Sequence, residues 1–363
     1  MTDKDDRMYW VALTSFRPFG AVRLAKLMNG FGTMEQAFHA DRISLERAGI
    51  EPELASRFLQ ERMHIDPQAL FQQLEKHDIQ VVTLKEAAYP PLLKEIYDPP
   101  AVLFVRGTLP DPGKKYLAVV GSRKASTYGQ RVTEDLIVPI ARAGVVIVSG
   151  LAYGIDASAH DATLRAQGCT LAVVGCGVDQ DSIYPSHHRA LASRIISSGG
   201  ALISEFPPGT PPLKQHFPIR NRIIAGLCHG TLVIEATLES GSLITARSAI
   251  ESNREIYAVP GSIYSPLSEG PNNLIKTGAI PVTSAQDVFG IQDVSSTPAH
   301  PAYQPTNEKE AAVFSHLFSQ PIHLDELVRS TGLPTPLVMS TLTLMEIKGV
   351  VRHEGGYFYT RIN

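Results

Sequence analysis

Six short apolar runs, each followed by a loop and then by helical periodicity, constrain the fold of this chain most. The runs are YLAVVG (116–121), VVIVSG (145–150), TLAVVG (170–175), ALISEF (201–206), TLVIEA (231–236) and EIYAVP (255–260). Continuous apolar runs of this length suit strands that are buried on both faces. Because strands that alternate with helices form parallel sheets, the sequence predicts an α/β fold with a doubly wound parallel sheet over residues 114–290.

The residues before this core predict a helical module over 1–64 and a connector over 65–113. Helical spacing in the module is broken at Pro18–Gly20 and again at Gly30–Gly32. Pairs of helices joined by a glycine-containing turn occur in sterile-alpha-motif and helix-hairpin-helix modules, which bind DNA or protein. The alternative is a small helical bundle that only packs on the next domain. In the connector, Val81–Val82 is expected to lie in a strand.

The residues after the core predict a linker over 291–307 and a winged helix over 308–363. The linker is rich in proline, serine and threonine and has no periodicity. The last segment has the order helix, helix, helix and two small strands. Its predicted recognition helix, PTPLVMSTLTLMEIKG, has no basic residue before Lys348. Because a groove-reading helix needs cationic or amide side chains, this module is expected to contact protein rather than DNA bases.

Composition excludes several classes of protein. The three cysteines form no CxxC pair and HExxH is absent, so no metal site is expected. The chain starts with acidic and polar residues, and no apolar run is long enough to cross a bilayer, so we expect a cytoplasmic protein without a membrane partner. The net charge is −3, and residues 114–292 carry 15 basic and 13 acidic side chains. An anion would therefore bind through a local site rather than a broad basic face.

The loop after the first core strand, GSRKASTYG, is a candidate anion site. Ligands of an open parallel sheet bind beyond the carboxyl ends of its strands, and helix N-termini there favour phosphate. The loop lacks the GxGxxG pattern of dinucleotide sites, so we expect no nicotinamide or flavin cofactor. Arg123 can instead form a bidentate bond to a phosphate, with Lys124 beside it. The alternative is a strand-to-helix turn with a surface arginine.

The stretch KQHFPIRNRIIAGL, residues 214–227, is the most unusual in the chain. It places four cationic or titratable side chains around Phe217, namely Lys214, His216, Arg220 and Arg222. Cations beside an aromatic ring suit single-stranded nucleic acid, because the cations meet phosphates and the ring stacks on a base. In the alternative interpretation, Phe217 belongs to the core and the arginines pair with carboxylates such as Glu205 or Glu235.

The turn Ser240–Gly241–Ser242 opens another helix and offers a further cluster of N–H groups for an anion.

The sequence evidence for a catalytic site is weaker than that for an anion site. GxSxG is absent, and no nucleophile is marked beside Asp156–His160 or beside Asp179–Asp181 with His187, which favours capping and structural roles. We therefore expect no catalytic residues.

Six motifs in a fixed order carry a resemblance to a known family. They are GSRKASTYG, SGLAYGIDASAH, HFPIRNRIIAGL, VIEATLESGSLITA, VPG and GPNNLIKTGA, which together cover about residues 80–290. This combination resembles the DNA processing protein A family, also called Smf. The helical module and the winged helix fit the three-part layout of that family more loosely.

The resemblance implies a binding protein rather than an enzyme. Family members bind and protect single-stranded DNA and help load the RecA recombinase onto it in natural transformation and recombination. The resemblance also implies an extended Rossmann-like core without a nucleotide cofactor, and a homodimer formed through that core. The DNA-contacting residues of the family fall on Arg123, Lys214 and Phe217. Lys124, Arg220, Arg222 and Ser242 are added from their chemistry and their nearness in sequence.

An enzyme remains the alternative from a different functional class. Lysine-decarboxylase-like phosphoribohydrolases have a related fold and cleave nucleoside phosphates. They need a PGGxGTxxE loop for phosphate binding and water activation. The comparable stretch here, GLCHGTLVIEATLESGS, lacks the PGG. Release of base from nucleoside monophosphates would favour the enzyme.

Overall fold

The structure is a computed structural model that describes residues 3–291, 303, 305–318 and 320–361. It divides into two compact units, residues 1–294 and 295–363. The longest helix has 16 residues, and no helix in the described part of the chain is both long and apolar enough to span a membrane.

Six short helices form the N-terminal part of the first unit. They are α1 (Asp3–Ser15), α2 (Ala21–Gly30), α3 (Met34–His39), α4 (Arg42–Arg47), α5 (Pro52–Glu61) and α6 (Pro67–Lys76). The first two helices, α1 and α2, end close to the two predicted breaks. The rings of Phe16, Phe19 and Phe58 pack on one another with centroids 4.7 to 5.3 Å apart. Their cluster continues onto the central sheet, so these helices pack against the core.

A nine-stranded sheet organises the first unit. Its strands are β1 (Ile79–Thr83), β2 (Val102–Gly107), β3 (Tyr116–Val120), β4 (Val146–Ser149), β5 (Thr170–Val173), β6 (Ala201–Ser204), β7 (Gly230–Val233), β8 (Glu255–Ala258) and β9 (Ile280–Pro281). A short helix, α7 (Pro91–Lys94), separates the first two strands. Strands β3 to β9 are parallel, whereas β1 and β2 join one edge in antiparallel pairing. All six predicted apolar runs form strands, which confirms the α/β fold class.

The strand order, β1-β2-β6-β5-β4-β3-β7-β8-β9, reverses direction at β3. The chain steps outward from β3 to β6 and then returns to place β7 on the opposite side of β3. The carboxyl ends of β3 and its neighbours therefore border a topological switch point, where open α/β sheets bind their ligands.

Helices cover both faces of the parallel strands. They are α8 (Thr127–Arg142), α9 (Ile155–Arg165), α10 (Arg189–Ser197), α11 (His216–Gly226), α12 (Gly241–Glu251) and α13 (Glu269–Lys276). Successive β3 side chains alternate between the faces. Leu117 and Val119 share a cluster with α8 and α9, whereas Ala118 and Val120 share one with α11 and α12. This is the doubly wound arrangement that the sequence predicts.

The second unit has the predicted winged-helix order. It contains α14 (Glu308–Ser315), α15 (Leu324–Thr331), α16 (Thr335–Ile347) and a three-stranded sheet of β10 (Ile322–His323), β11 (Val351–Gly355) and β12 (Phe358–Arg361). Val313, Leu327 and Leu342, one from each helix, lie in its core. The outward side chains of α16 include Met339, Leu344 and Ile347, and none of its residues is basic.

The structure also bears on the predicted segments. The connector over 65–113 supplies α6, β1, α7 and β2, so it builds one edge of the sheet. Most of the predicted linker over 291–307 lies outside the described residues, since 292–302 and 304 are not among them. The predicted boundaries within the first unit stay predictions.

Candidate functional site

The loop after β3 presents Arg123 at the switch point. Arg123 is exposed, and its guanidinium carbon lies 5.4 Å from the centre of the Phe217 ring. Gly154, which has a φ of +76°, packs closely against the backbone of this loop. A Cβ on Gly154 would lie 2.2 Å from the Ser122 carbonyl oxygen. Only glycine combines that backbone conformation with so close an approach. The structure thus brings together Arg123 and Phe217, which are far apart in sequence.

A carboxylate from the same chain fills the N-terminus of α8. Glu235, which follows β7, is 3% exposed and accepts hydrogen bonds from the Ser126 backbone N–H at 2.9 Å and the Ser126 hydroxyl at 2.5 Å. A Cβ on Gly129 would lie 2.2 Å from a Glu235 carboxylate oxygen. The helix end that holds phosphate in nucleotide-binding Rossmann folds is therefore already occupied by an anion.

Phe217 lies half-buried in the first turn of α11. Its ring packs against the backbone at Gly175, where an added Cβ would come within 3.1 Å of it. The Tyr184 ring lies 5.9 Å away and is 46% exposed. His216 faces the other way, stacks on Phe206 at 4.0 Å and has Nδ1 3.2 Å from the Gly175 carbonyl oxygen. Phe217 therefore rests on the end of β5 while part of its ring stays open to solvent.

Two lysines flank this aromatic and arginine pair. Lys214 precedes α11 and Lys124 follows Arg123, and both side chains are exposed. Within the described residues, neither lysine makes an ion pair, and neither does Arg123. We call the group Arg123, Lys124, Tyr184, Lys214 and Phe217 the edge cluster. At the carboxyl edge of the sheet it combines cations that have no carboxylate partner among the described residues with two aromatic rings, the exposed Tyr184 and the partly buried Phe217.

Arg220, also expected at the DNA, is buried and 4% exposed. Its guanidinium donates hydrogen bonds to the Gly150 carbonyl at 2.8 Å and to the Val173 carbonyl, while Nε donates to the Asn221 amide oxygen at 3.1 Å. Burial lowers the pKa of Arg220 to about 10, although the charge of Asp156 opposes that shift. These donors join the ends of β4 and β5 to α11 and leave no exposed group for a phosphate.

Arg222 is held by two carboxylates. It lies 3.0 Å from Asp98 and 2.5 Å from Glu205, and its side chain is 14% exposed. Burial raises the pKa of Glu205, while the adjacent Arg222 lowers it. Pairing with Glu205 was one of the two interpretations of the sequence, and the structure shows that pair. The other named carboxylate, Glu235, binds Ser126 instead.

Ser242 lies on the far side of the switch point, in the first turn of α12. It is 8% exposed, and its hydroxyl pairs with the Ser240 hydroxyl at 2.7 Å. The Asn221 side chain donates to the Gly241 carbonyl at 3.2 Å, which ties this turn to α11. Ser242 is therefore part of a closed turn and is not among the edge cluster.

Sequence reasoning missed the tyrosines near the cluster. Tyr184 is in direct ring contact with Phe217, and Tyr153 is 44% exposed with its ring 5.0 Å from the His188 ring. Both follow core strands, β4 and β5, in the loops at the carboxyl edge. The sequence signal that could have found them is an aromatic residue in a loop that follows a core strand. Such loops meet at the carboxyl edge of a parallel sheet, where ligands bind.

The described residues contain no group of three ligand-type side chains that could hold a metal ion. The most buried candidate for acid–base chemistry is His160, whose Nδ1 lies 2.7 Å from the Thr170 hydroxyl. Burial, aided by the charges of His188 and Arg220, lowers the pKa of His160 to about 3. It is neutral near pH 7 and inside the core, so it fits a structural role.

Comparison with known proteins agrees with this architecture. The family described as DNA recombination-mediator protein A matches residues 80–292, and the DprA winged helix domain matches residues 297–356. The chain therefore belongs to the DNA processing protein A family. Protein Smf of Escherichia coli (strain K12) is 40% identical over 334 residues, covering 89% of this chain and 88% of that protein. DNA processing protein DprA of Bacillus subtilis (strain 168) is 46% identical over 213 residues, covering 58% and 70%.

Two solved structures extend the likeness to three dimensions. DNA processing protein A from Streptococcus pneumoniae aligns with a TM-score of 0.66 at 37% identity, covering 77% of this chain and 96% of that one. DNA processing protein A from Helicobacter pylori, described for its single-stranded DNA binding mode, aligns with a TM-score of 0.50 at 29% identity. That alignment covers 57% of this chain and 93% of the other.

Proposed function

We propose that this chain binds single-stranded DNA through the edge cluster. Arg123, Lys124 and Lys214 contact backbone phosphates, and Phe217 stacks on a base. The observation that carries the proposal is the Arg123 guanidinium over the partly buried Phe217 ring, 5.4 Å from its centre. A cation beside an aromatic ring at one site suits a strand whose bases are unpaired.

Arg220, Arg222 and Ser242 are proposed to act on the site only by positioning it. Arg220 donates to backbone carbonyls, Arg222 pairs with carboxylates, and the Ser242 hydroxyl pairs with that of Ser240. Moving Arg220 onto a phosphate would leave the Gly150 and Val173 carbonyls unpaired, which is costly. Arg220 instead fixes α11 against the sheet, and α11 carries Phe217.

The single-stranded DNA binding mode described for the Helicobacter pylori relative supports the same ligand here. By family membership, we further propose that the protein protects incoming single strands and helps load the RecA recombinase in natural transformation and recombination. On the same ground we propose that it works in the cytoplasm as a homodimer.

We propose that these roles need no catalysis. The stretch 226–242 lacks the PGG of the phosphoribohydrolase loop, and the N-terminus of α8 is already occupied by the Glu235 carboxylate. Incubation with nucleoside monophosphates is expected to release no base, and release at a steady rate by pure protein would restore the enzyme alternative.

The test of DNA binding is a titration with an oligo-dT strand and with a duplex of equal length across a salt series. The strand is expected to bind more tightly than the duplex. Its log K should fall linearly with log salt, by about 0.7 for each phosphate neutralised. Equal binding of duplex and single strand would contradict a site built on unpaired bases.

A further inference from the structure

The loop after β4, residues 150–154, has an unusual and firmly held backbone. Leu151 is buried and has a φ of +59°, a left-handed conformation that is rare for a bulky residue. The Gly150 N–H donates to the Asp156 carboxylate at 3.1 Å, and the Gly150 carbonyl accepts from Arg220 at 2.8 Å. An unfavourable backbone persists only where its surroundings fix it, and such segments cluster at ligand sites.

This loop is in direct backbone contact with the loop that carries Arg123. The Ile155 N–H donates to the Ser122 carbonyl at 3.2 Å. A Cβ on Gly154 would lie 2.8 Å from the Arg123 carbonyl carbon. Because consecutive Cα atoms are only about 3.8 Å apart, Tyr153 also lies close to Arg123.

Tyr153 presents an aromatic ring at the surface of this loop. The ring is exposed on part of its area and packs against the His188 ring, with centroids 5.0 Å apart and planes inclined at 64°. His188 Nδ1 lies 2.8 Å from the Leu151 carbonyl oxygen, which fixes the imidazole to the same loop. Among the described residues the Tyr153 hydroxyl has no hydrogen-bond partner, whereas that of the exposed Tyr128 donates to the Pro260 carbonyl at 3.1 Å.

The loop after β5 connects the Tyr153 ring with the edge cluster. It carries Tyr184, whose ring lies 5.9 Å from that of Phe217, and four residues later His188, which contacts Tyr153. Four residues span at most about 14 Å. Phe217 and Tyr153 are thus both placed next to Arg123, the first beside its guanidinium and the second beside its backbone.

We propose that Tyr153 is a second base-stacking residue of the single-strand site. The strand that stacks one base on Phe217 passes Arg123, which holds a phosphate, and stacks another base on Tyr153. This inference rests on the proposed function and deepens it. Every base has a π face, so the contact adds affinity without a strong sequence preference.

The test uses an oligo-dT of about ten nucleotides, within the usual range of site sizes, and an abasic strand of the same length. The abasic strand keeps the phosphates and has no bases. Tyr153→Ala is expected to weaken binding of oligo-dT about five- to tenfold, while its salt slope and its binding of the abasic strand stay unchanged. Tyr153→Phe, which keeps the ring, should bind like the unmodified protein.

Two further variants separate stacking from other effects. Tyr153→Leu keeps apolar bulk against His188 but has no π face, so it should bind as weakly as Tyr153→Ala and replaces it if the alanine variant does not fold. Tyr264→Ala is the matched control. Tyr264 is 91% exposed and also follows a parallel strand, but that strand is β8, three positions from β4 in the sheet. It should bind oligo-dT normally.

Several results would overturn the inference. They are normal oligo-dT binding by Tyr153→Ala or Tyr153→Leu, weak binding by Tyr153→Phe, and an equal loss in Tyr264→Ala. An equal loss on oligo-dT and on the abasic strand would also overturn it, because Tyr153 would then support the phosphate contacts and not a base. If Phe217→Ala and Arg123→Ala still weaken oligo-dT binding in these cases, the proposed function stands; if the unmodified protein does not bind oligo-dT, both fall.

Discussion

The two ends of the segment 214–222 carry the same type of charge and have opposite surroundings. Lys214 is exposed and Phe217 is partly exposed at the carboxyl edge of the sheet, whereas Arg220 and Arg222, three and five residues after Phe217, are enclosed. Arg220 donates to backbone carbonyls, and Arg222 faces Asp98 and Glu205. The difference shows that a run of cations around an aromatic can be divided by one turn of helix into a ligand-facing part and a structural part.

Physical chemistry explains why these two parts cannot exchange roles. An exposed cation is hydrated and surrounded by counterions, which a phosphate can displace with a gain in entropy. A buried cation has already lost its water and must keep its protein acceptors, because an unpaired buried charge is very costly. We therefore expect mutations at the enclosed end to affect folding and those at the open end to affect binding.

The largest effect is expected at Arg220. Arg220→Ala removes the partner of two carbonyls and leaves the buried Asp156 without its nearby positive charge. Loss of one member of a buried charged network typically costs about 3–5 kcal/mol of folding stability. Urea unfolding followed by circular dichroism measures this cost. The matched control is Lys214→Ala, which should unfold within about 0.5 kcal/mol of the unmodified protein.

A stable Arg220→Ala protein that binds oligo-dT poorly would break the comparison, because Arg220 would then be a DNA contact. The same pair of measurements therefore reports on both ends of the segment.

The next effect is expected at Phe217. Loss of a stacking ring costs about 1–3 kcal/mol per base in binding and releases no counterions. Phe217→Ala should therefore weaken binding of oligo-dT while the salt slope stays unchanged. Its melting temperature should fall only modestly, since part of the ring is open to solvent. Phe217→Tyr, which keeps a ring, should restore binding.

The opposite result assigns Phe217 to the core. Truncation of a fully buried phenylalanine costs about 3–5 kcal/mol of stability. A variant that melts far below the unmodified protein but binds normally where it is still folded would remove the stacking role.

Much of the fold could be predicted from sequence because its signal is local. Each buried strand appears as a continuous apolar run, and the helices between the runs have their own periodicity. The strand β2 was not predicted, although Val102–Val105 is apolar. Prolines precede it, and no helical segment follows it to continue the alternation of strands and helices. β9 has two residues, too few for any pattern.

The site was harder to predict because its contacts join distant loops. Arg123 and Phe217 could be proposed from chemistry, but the contact of Tyr184 with Phe217 depends on how two loops pack. The orientation of α11 is also hidden in its sequence. Buried residues of α11 lie on several sides of the helix. Its sequence therefore has no single apolar stripe that would show whether Arg220 faces inward or outward.

The smallest effect is expected from the second unit. Its helix α16 has outward apolar side chains and no basic residue, unlike the edge cluster. Removal of residues from 305 onward should leave the first unit folded and change oligo-dT affinity by less than tenfold, which corresponds to about 1.4 kcal/mol. Circular dichroism and the same titration measure both quantities. A larger loss of affinity would mean that the winged helix contacts DNA.

The most direct test of the central claim compares the salt slopes of three single variants. Arg123→Ala and Lys214→Ala each remove an exposed cation, and Arg222→Ala removes one that two carboxylates already neutralise. We predict that each of the first two flattens the slope of log K against log salt for oligo-dT by about 0.7, and that Arg222→Ala leaves it unchanged. The same flattening in all three variants, or flattening by Arg222→Ala alone, would contradict the division between exposed cations that bind DNA and enclosed cations that support the fold.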